Sequence, residues 1–184
     1  MSRTVFVFAL SVLMPTIAFA QGTKAKDAVK KVEATFEPAQ AKPGQTVTLK
    51  IVVQLAPGYH TYPVVQPSPE AKFSANKIAF SVGGPVVFVG DIVDPVQPKI
   101  KKIEDYDVSE YPGGGTWIRK AVVLPSAKAR VGTAKLKFTL LVCDADNCFP
   151  PKTIDLEATL KVLDGPAVAI EARYKDEVEK AGKK

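Results

Sequence analysis

Methionine, cysteine, tryptophan and histidine are all scarce in this chain of 184 residues, which has two, two, one and one of them. The one histidine, His60, has no Gly-x-Ser-x-Gly motif to work with, so the sequence does not support hydrolytic catalysis. A copper(I) site of Cys143, Cys148 and His60 lacks a nearby thioether, since Met1 and Met14 lie near the amino terminus. We expect no metal and no cofactor.

No stretch after the first twenty residues is apolar and long enough to span a bilayer. Those twenty residues combine a basic start at Arg3, an apolar run and the small-residue ending Ala-Phe-Ala. This order of charge, apolar core and small residues is typical of a secretory signal peptide. We expect a signal at 1–20, cleavage after Ala20, a periplasmic or secreted mature chain, and no stable membrane insertion after cleavage.

The charge pattern does not indicate a nucleic-acid site. The net charge is +6, and the basic residues are scattered without the interleaved aromatic side chains of a base-stacking surface. Removing the signal leaves about 164 residues, the usual size of one domain. We expect a monomer with a flexible lead-in at 21–30, a folded domain at 31–165, and a charged tail at 166–184 that is helical or disordered.

Alternating apolar and polar residues predict short β-strands. The clearest alternation runs over 47–53, 136–142 and 154–162, with an edge strand at 32–36 and weaker candidates at 77–82, 86–89 and 117–124. Glycine and proline turn signals separate these runs, and the fifteen prolines suit edges and loops. The pattern predicts an all-β fold, an immunoglobulin-like antiparallel β-sandwich.

Cys143 and Cys148 are the distinctive chemistry of the sequence. They lie where one predicted strand ends and the next begins, at the tip of a hairpin, and the four residues between them allow a disulfide. The bond is either a structural staple or a redox pair, and the residues alone favour neither. Closing so small a loop stabilises by only about 2 kcal/mol. Asp144 and Asp146 disfavour a thiolate, which suits a disulfide that a partner attacks.

Two segments carry a family resemblance. Residues 142–151, VCDADNCFPP, and residues 58–62, GYHTY, together resemble the amino-terminal periplasmic domain of the thiol:disulfide interchange protein DsbD. The similarity runs from about Val32 to Leu163. The resemblance implies an immunoglobulin-like sandwich in which Cys143 and Cys148 cycle between dithiol and disulfide.

The resemblance also implies residues around the cysteine pair. In that family the aromatic side chain of a cap loop shields the cysteines, and spacing places this loop at 110–113, with Tyr111 as the cap residue beside Glu110. The glycines that follow would let the loop open. His60, Tyr62 and Phe149 are expected near the pair as partner-docking residues, although Tyr62 and Phe149 suit a core role equally well.

The predicted function is an exported thiol-disulfide interchange module that relays electrons through Cys143 and Cys148 to or from a thioredoxin-fold partner. Because the sequence has no membrane carrier of its own, that partner or a DsbD-like membrane electron carrier would act in trans. The alternative is a non-catalytic secreted adaptor or binding domain with a structural disulfide.

Overall fold

The computed structural model describes residues 27–181. The predicted signal, its cleavage after Ala20 and residues 21–26 of the predicted lead-in lie outside the described residues, as do 182–184. Within 27–181, no helix is long and apolar enough to cross a membrane.

Strands dominate this part of the chain. In chain order they are β1 (Val29–Glu37), β2 (Gln40–Ala41), β3 (Thr46–Leu55), β4 (His60–Thr61), β5 (Lys77–Phe80), β6 (Val86–Val93), β7 (Lys99–Ile103), β8 (Tyr106–Pro112), β9 (Gly114–Val123), β10 (Val131–Leu140) and β11 (Lys152–Val162). Helical elements include two 3-10 helices, Pro69–Phe73 and Ala172–Tyr174, and the α-helix α1 (Lys175–Ala181).

The strands form three sheets. Sheet A has the order β1-β3-β9-β6, sheet B has the order β2-β11-β10-β5, and sheet C has the order β4-β8-β7. Strand pairs are antiparallel except for the short β2, which runs parallel to β11. The predicted all-β, immunoglobulin-like antiparallel sandwich is confirmed.

Alternation explains why sheets A and B face each other. Every second side chain of β3, from Val47 to Val53, is buried, and β11 buries Leu156 to Val162 in the same way. Because successive side chains of a strand point to opposite faces, each strand contributes one apolar face to a common core. Burying each such side chain stabilises the fold by about 1.5–3 kcal/mol.

Trp117 lies where the three sheets meet. It is fully buried on β9 of sheet A, with its ring edge-on to Phe138 of sheet B at 5.3 Å and to Tyr111 of sheet C at 6.0 Å. Its indole nitrogen donates a hydrogen bond to Asp94 Oδ1 at 2.8 Å. The one tryptophan therefore fixes sheet C against the sandwich.

The β7–β8 hairpin was not predicted. Four of the five residues of β7, Lys-Ile-Lys-Lys-Ile, are exposed, so the strand has no buried face to give a period of two. β8 is buried over Val108 to Tyr111, a continuous run without alternation. The segment expected as a cap loop at 110–113 is therefore mostly strand, which ends in a turn at Gly113 with φ +73°.

Residues 172–181 of the carboxyl-terminal tail are helical and pack on the sandwich. Tyr174 and Val178 are buried against Val89 and Val122, which project from the face of sheet A opposite to the main core. Glu177 also accepts a hydrogen bond from the backbone N–H of Gly90 at 3.0 Å. At the other end, β1 begins at Val29, two residues before the predicted start of the folded domain.

Candidate functional site

Cys143 and Cys148 form a disulfide. Cys143 follows β10 and Cys148 precedes β11, and because these strands pair antiparallel, the segment between them is the end of a hairpin as predicted. The two cysteines also form a backbone bridge with each other, and Cys143 forms a second bridge with His60. The hairpin end is thereby attached to β4 of sheet C.

The two cysteines differ in their exposure to solvent. Cys143 is 2% exposed and packs with Tyr62, Val108 and Leu141, whereas Cys148 is an exposed residue. A thiolate can attack only a sulfur that it can reach. A partner would therefore reach Cys148, and Cys143 would become the leaving sulfur.

Asp144 determines the shape of the short loop between the cysteines. Its carboxylate accepts hydrogen bonds from the backbone N–H groups of Asp146 at 2.9 Å and Asn147 at 2.7 Å. Its own N–H donates to the carbonyl of Asn147 at 2.9 Å. Aspartate favours such turns because its side chain bonds the backbone two or three residues ahead. The loop thus holds Cys148 at the surface.

A chain of polar side chains leads away from the buried sulfur. The Tyr62 hydroxyl donates a hydrogen bond to Cys143 Sγ at 3.1 Å and lies 3.7 Å from Cys148 Sγ. His60 Nε2 is 3.1 Å from the same hydroxyl and 3.6 Å from Glu110 Oε1. Lys101 Nζ lies 4.0 Å from that carboxylate oxygen. Sulfur, phenol, imidazole and carboxylate thus form one contiguous path.

Burial shifts the pKa values of two groups on this path. It raises the pKa of Tyr62 to about 12, with a smaller contribution from the negative charge of Glu110. Burial also lowers the pKa of His60, which Glu110 opposes and Lys101 and Lys99 reinforce. The phenol therefore stays protonated at neutral pH, and the imidazole favours its neutral form.

A cleft of about 510 Å³ opens beside His60. Its lining includes Lys99, Lys101 and Glu110 from sheet C, and Ala145 from the cysteine loop. The cleft therefore lies between the imidazole and the cysteine loop. Among residues 27–181, no group of three or more His, Cys, Asp and Glu side chains could hold a metal ion.

The structure brings together most of the residues predicted for the site. Tyr62 contacts both sulfurs, His60 contacts Tyr62, and Glu110 contacts His60. Phe149 is half-buried, with its ring 6.0 Å from that of Tyr59.

Tyr111, the predicted cap residue, is 5% exposed and belongs to the main core cluster with Trp117. Tyr62 is an aromatic residue whose hydroxyl contacts both sulfurs of the disulfide. The role of Tyr111 as a cap stays a prediction.

Sequence reasoning missed Asn76, which is 1% exposed. Its amide oxygen accepts a hydrogen bond from the backbone N–H of Leu141 at 2.9 Å, and its amide nitrogen donates to Thr61 Oγ1 at 3.0 Å. Thr61 in turn donates to the carbonyl of Leu141 at 2.7 Å. This network fixes the segment before Cys143 against β4. An asparagine between turn and strand gave no signal of burial.

No family model and no curated protein matches the chain. Solved structures that are similar include the N-terminal periplasmic domain of ScsB from Proteus mirabilis, at 21% identity and a TM-score of 0.45 over 79% of this chain. The chain spans about half, 51%, of that structure.

A second similar structure is the reduced N-terminal domain of DsbD from Neisseria meningitidis, at 18% identity and a TM-score of 0.37, covering 77% of this chain and 91% of that one. A third is PapD-like domain 7 of human CEP192, at 13% identity and a TM-score of 0.31, covering 86% and 99%. The DsbD domain is of the family that the cysteine and Gly-Tyr-x-x-Tyr segments of this chain resemble.

Proposed function

We propose that this chain is an exported thiol-disulfide interchange module, which relays electrons through Cys143 and Cys148 to or from a thioredoxin-fold partner. The observation that carries the proposal is the unequal exposure of the two cysteines. Cys148 is an exposed residue, whereas Cys143 is buried and its sulfur lies 3.1 Å from a hydroxyl that donates to it. A structural staple has no need of this asymmetry.

Reduction of the disulfide would begin at Cys148. A thiolate of the partner attacks Cys148 Sγ, a bond forms between these two sulfurs, and the bond between Cys148 and Cys143 breaks with its electron pair on Cys143 Sγ. The Tyr62 hydroxyl stabilises that developing charge, because a hydrogen bond to an ionised group is roughly twice as strong as a neutral one.

In the second half of the exchange, the partner is oxidised to a disulfide. Its second thiol attacks its own sulfur in the mixed disulfide and releases Cys148 as a thiolate, which takes up a proton. Two electrons and two protons have then moved from the partner dithiol to this chain. The same steps in reverse order pass them to the disulfide of a target protein.

The proposal includes the setting in which the exchange takes place. The signal at 1–20 would direct a monomer with one folded domain, 31–165, to the periplasm or the medium, where disulfides persist. The electron donor or acceptor in trans is a thioredoxin-fold protein or a DsbD-like membrane carrier. The alternative, an adaptor with a structural disulfide, predicts that neither cysteine forms a mixed disulfide with a thioredoxin-fold protein.

Trapping of mixed disulfides tests the proposal. The two variants Cys143→Ser and Cys148→Ser each keep one cysteine, which is first activated with thionitrobenzoate. The probe is a reduced thioredoxin whose resolving cysteine is replaced by serine. We expect Cys143→Ser, which keeps the exposed sulfur, to form the mixed disulfide at least about 10-fold faster, because access controls attack.

The control is the double variant, which should give no covalent complex. If neither single variant traps the probe or any other thioredoxin-fold protein, the relay is wrong and the adaptor stands. If Cys148→Ser reacts as fast as Cys143→Ser, the exposure of the sulfurs does not direct the exchange.

A further inference from the structure

The buried sulfur of Cys143 needs a route by which its proton can reach solvent, whereas exposed Cys148 does not. In each cycle its sulfur must gain a proton when the disulfide is reduced and lose one when the disulfide forms again. With 2% of the residue exposed, that proton cannot pass directly to bulk water. The polar group that contacts this sulfur is the Tyr62 hydroxyl at 3.1 Å.

The Tyr62 phenol cannot take the proton from Cys143 and keep it. Because its pKa is raised to about 12, Tyr62 does not remain ionised at neutral pH. It can pass a proton only if a second group accepts one at the same time. His60 Nε2 lies 3.1 Å from the hydroxyl on its other side, and the imidazole lines the open cleft. The geometry therefore offers a route from buried sulfur to solvent.

We propose that Tyr62, His60 and Glu110 form a proton relay for Cys143. This inference rests on the proposed function, since it assigns the acid-base chemistry of the same exchange. Tyr62 touches the reacting atom and is the catalytic residue of the relay. His60 and Glu110 act through Tyr62 as positioning residues that set where the proton goes.

The proton transfer and the closure of the disulfide need no added reagent. When Cys148 carries the mixed disulfide, the Cys143 thiol donates its proton to the Tyr62 oxygen while the Tyr62 proton moves to neutral His60 Nε2. Tyr62 is unchanged, and the imidazolium is paired with Glu110 3.6 Å away. The Cys143 thiolate attacks Cys148 Sγ, the disulfide forms, and the other thiolate leaves. His60 then releases its proton into the cleft.

Charges from three sides face His60 and set its affinity for a proton. Glu110 on β8 and Asp144 in the cysteine loop favour the imidazolium, whereas Lys99 and Lys101 on β7 oppose it. Tyr62 supplies the hydrogen bond. Because burial has the largest effect, the pKa of the imidazole lies below 6.5 and the base is ready at neutral pH.

The test follows the closure of the disulfide in the reduced full chain. With a dithiodipyridine reagent, attack by Cys148 releases one thiopyridone and attack by Cys143 releases the second. We expect the rate of the second release in the wild type to rise as pH increases from about 4 to about 8, with a step at the pKa of His60. His60→Gln should abolish this step in the pH profile, and Tyr62→Phe should also slow the second release on the order of 100-fold.

The first release is the internal control, and we expect it to be unchanged in His60→Gln, because His60 contacts Tyr62 and Glu110 and does not take part in the contact between Tyr62 and Cys148. Two further variants separate proton transfer from a structural role. Glu110→Gln should move the step to lower pH, and Lys101→Gln should move it to higher pH, because they remove charges of opposite sign near the imidazole. Damaged packing does not produce shifts in opposite directions.

The relay is overturned if His60→Gln keeps the pH step, or if Glu110→Gln and Lys101→Gln shift it in the same direction or not at all. These outcomes are independent of the proposed function, because the reagent replaces the protein partner. A pH step without any trapped thioredoxin-fold protein would support the relay and contradict the electron-transfer proposal. Trapping without the step would do the reverse.

Discussion

At the scale of single residues, the Tyr62 hydroxyl is an unusual group to find in a cluster of apolar side chains. It is buried with Ala71, Val108 and Leu141, yet it lies within 3.7 Å of two sulfurs and 3.1 Å of an imidazole nitrogen. A buried polar group costs free energy unless it is hydrogen-bonded. Here all three of these atoms belong to the same chemical path, which explains how the apolar cluster tolerates the hydroxyl.

His60 gives the oxidised protein a stability that depends on pH. Its pKa in the folded state is below its value of about 6.5 in an unfolded chain. The neutral form is therefore favoured by folding, and the stabilisation is present above about pH 6.5 and is lost as pH falls through the folded-state pKa.

We expect the difference in unfolding free energy between the wild type and His60→Gln to narrow as pH falls from about 7 to about 4.5. Urea titrations followed by the fluorescence of Trp117, with the disulfide intact, measure it. A difference that stays constant across this range would contradict the direction assigned to His60.

At the scale of elements, the helix α1 covers a part of sheet A that would otherwise be open. Val89 and Val122 are fully buried although they lie on the outer face, because Tyr174 and Val178 pack on them. The approach to the helix is also tight, since a side chain at Gly44 would collide with the carbonyl of Val168. The tail is thus a third layer over one sheet.

Removing the two methyl groups of Val178 from this layer should destabilise the fold. We expect Val178→Ala to lower the free energy of unfolding by about 1–2 kcal/mol, because the side chain is 5% exposed. Val168→Ala is the matched control, since Val168 is 41% exposed, and its effect should lie within about 0.5 kcal/mol of zero. Urea unfolding of both variants decides; equal effects would mean that α1 does not contribute to stability.

The elements differ in how well the sequence predicts them, and the reason is physical. β3, β10 and β11 each bury one face only, so their alternation is visible in the sequence. β7 buries almost nothing and β8 is buried over a continuous run, so neither shows a period of two. For the site, the residues near the cysteines came from a family resemblance, whereas buried Asn76 and the path through Glu110 depend on tertiary contacts.

At the scale of the whole molecule, the disulfide and the main core are largely separate. Cys143 belongs to a small cluster with Tyr62 and Leu141, while the main cluster is built from sheets A and B around Trp117. Closing a loop of six residues contributes only about 2 kcal/mol by the chain-entropy model. Opening the bond therefore leaves the larger core in place.

We expect the protein to remain folded after reduction, with a free energy of unfolding lower by no more than about 2 kcal/mol. Trp117 fluorescence in urea measures it, because this residue is fully buried when the core is intact. Equilibration with graded glutathione buffers should give a reduction potential well above about −300 mV. Unfolding on reduction, with a potential below that value, would indicate the structural staple.

The exposed strand β7 has a consequence for how copies of this chain behave toward each other. It is the outer strand of sheet C, and within residues 27–181 no strand pairs with its far side. An open strand edge is a template for aggregation, and lysine is a residue that natural proteins place there to prevent it. Lys99, Lys101 and Lys102 repel the same strand of a second copy. The charges of Lys99 and Lys101, which lower the proton affinity of His60, therefore also oppose edge-to-edge association of the chain.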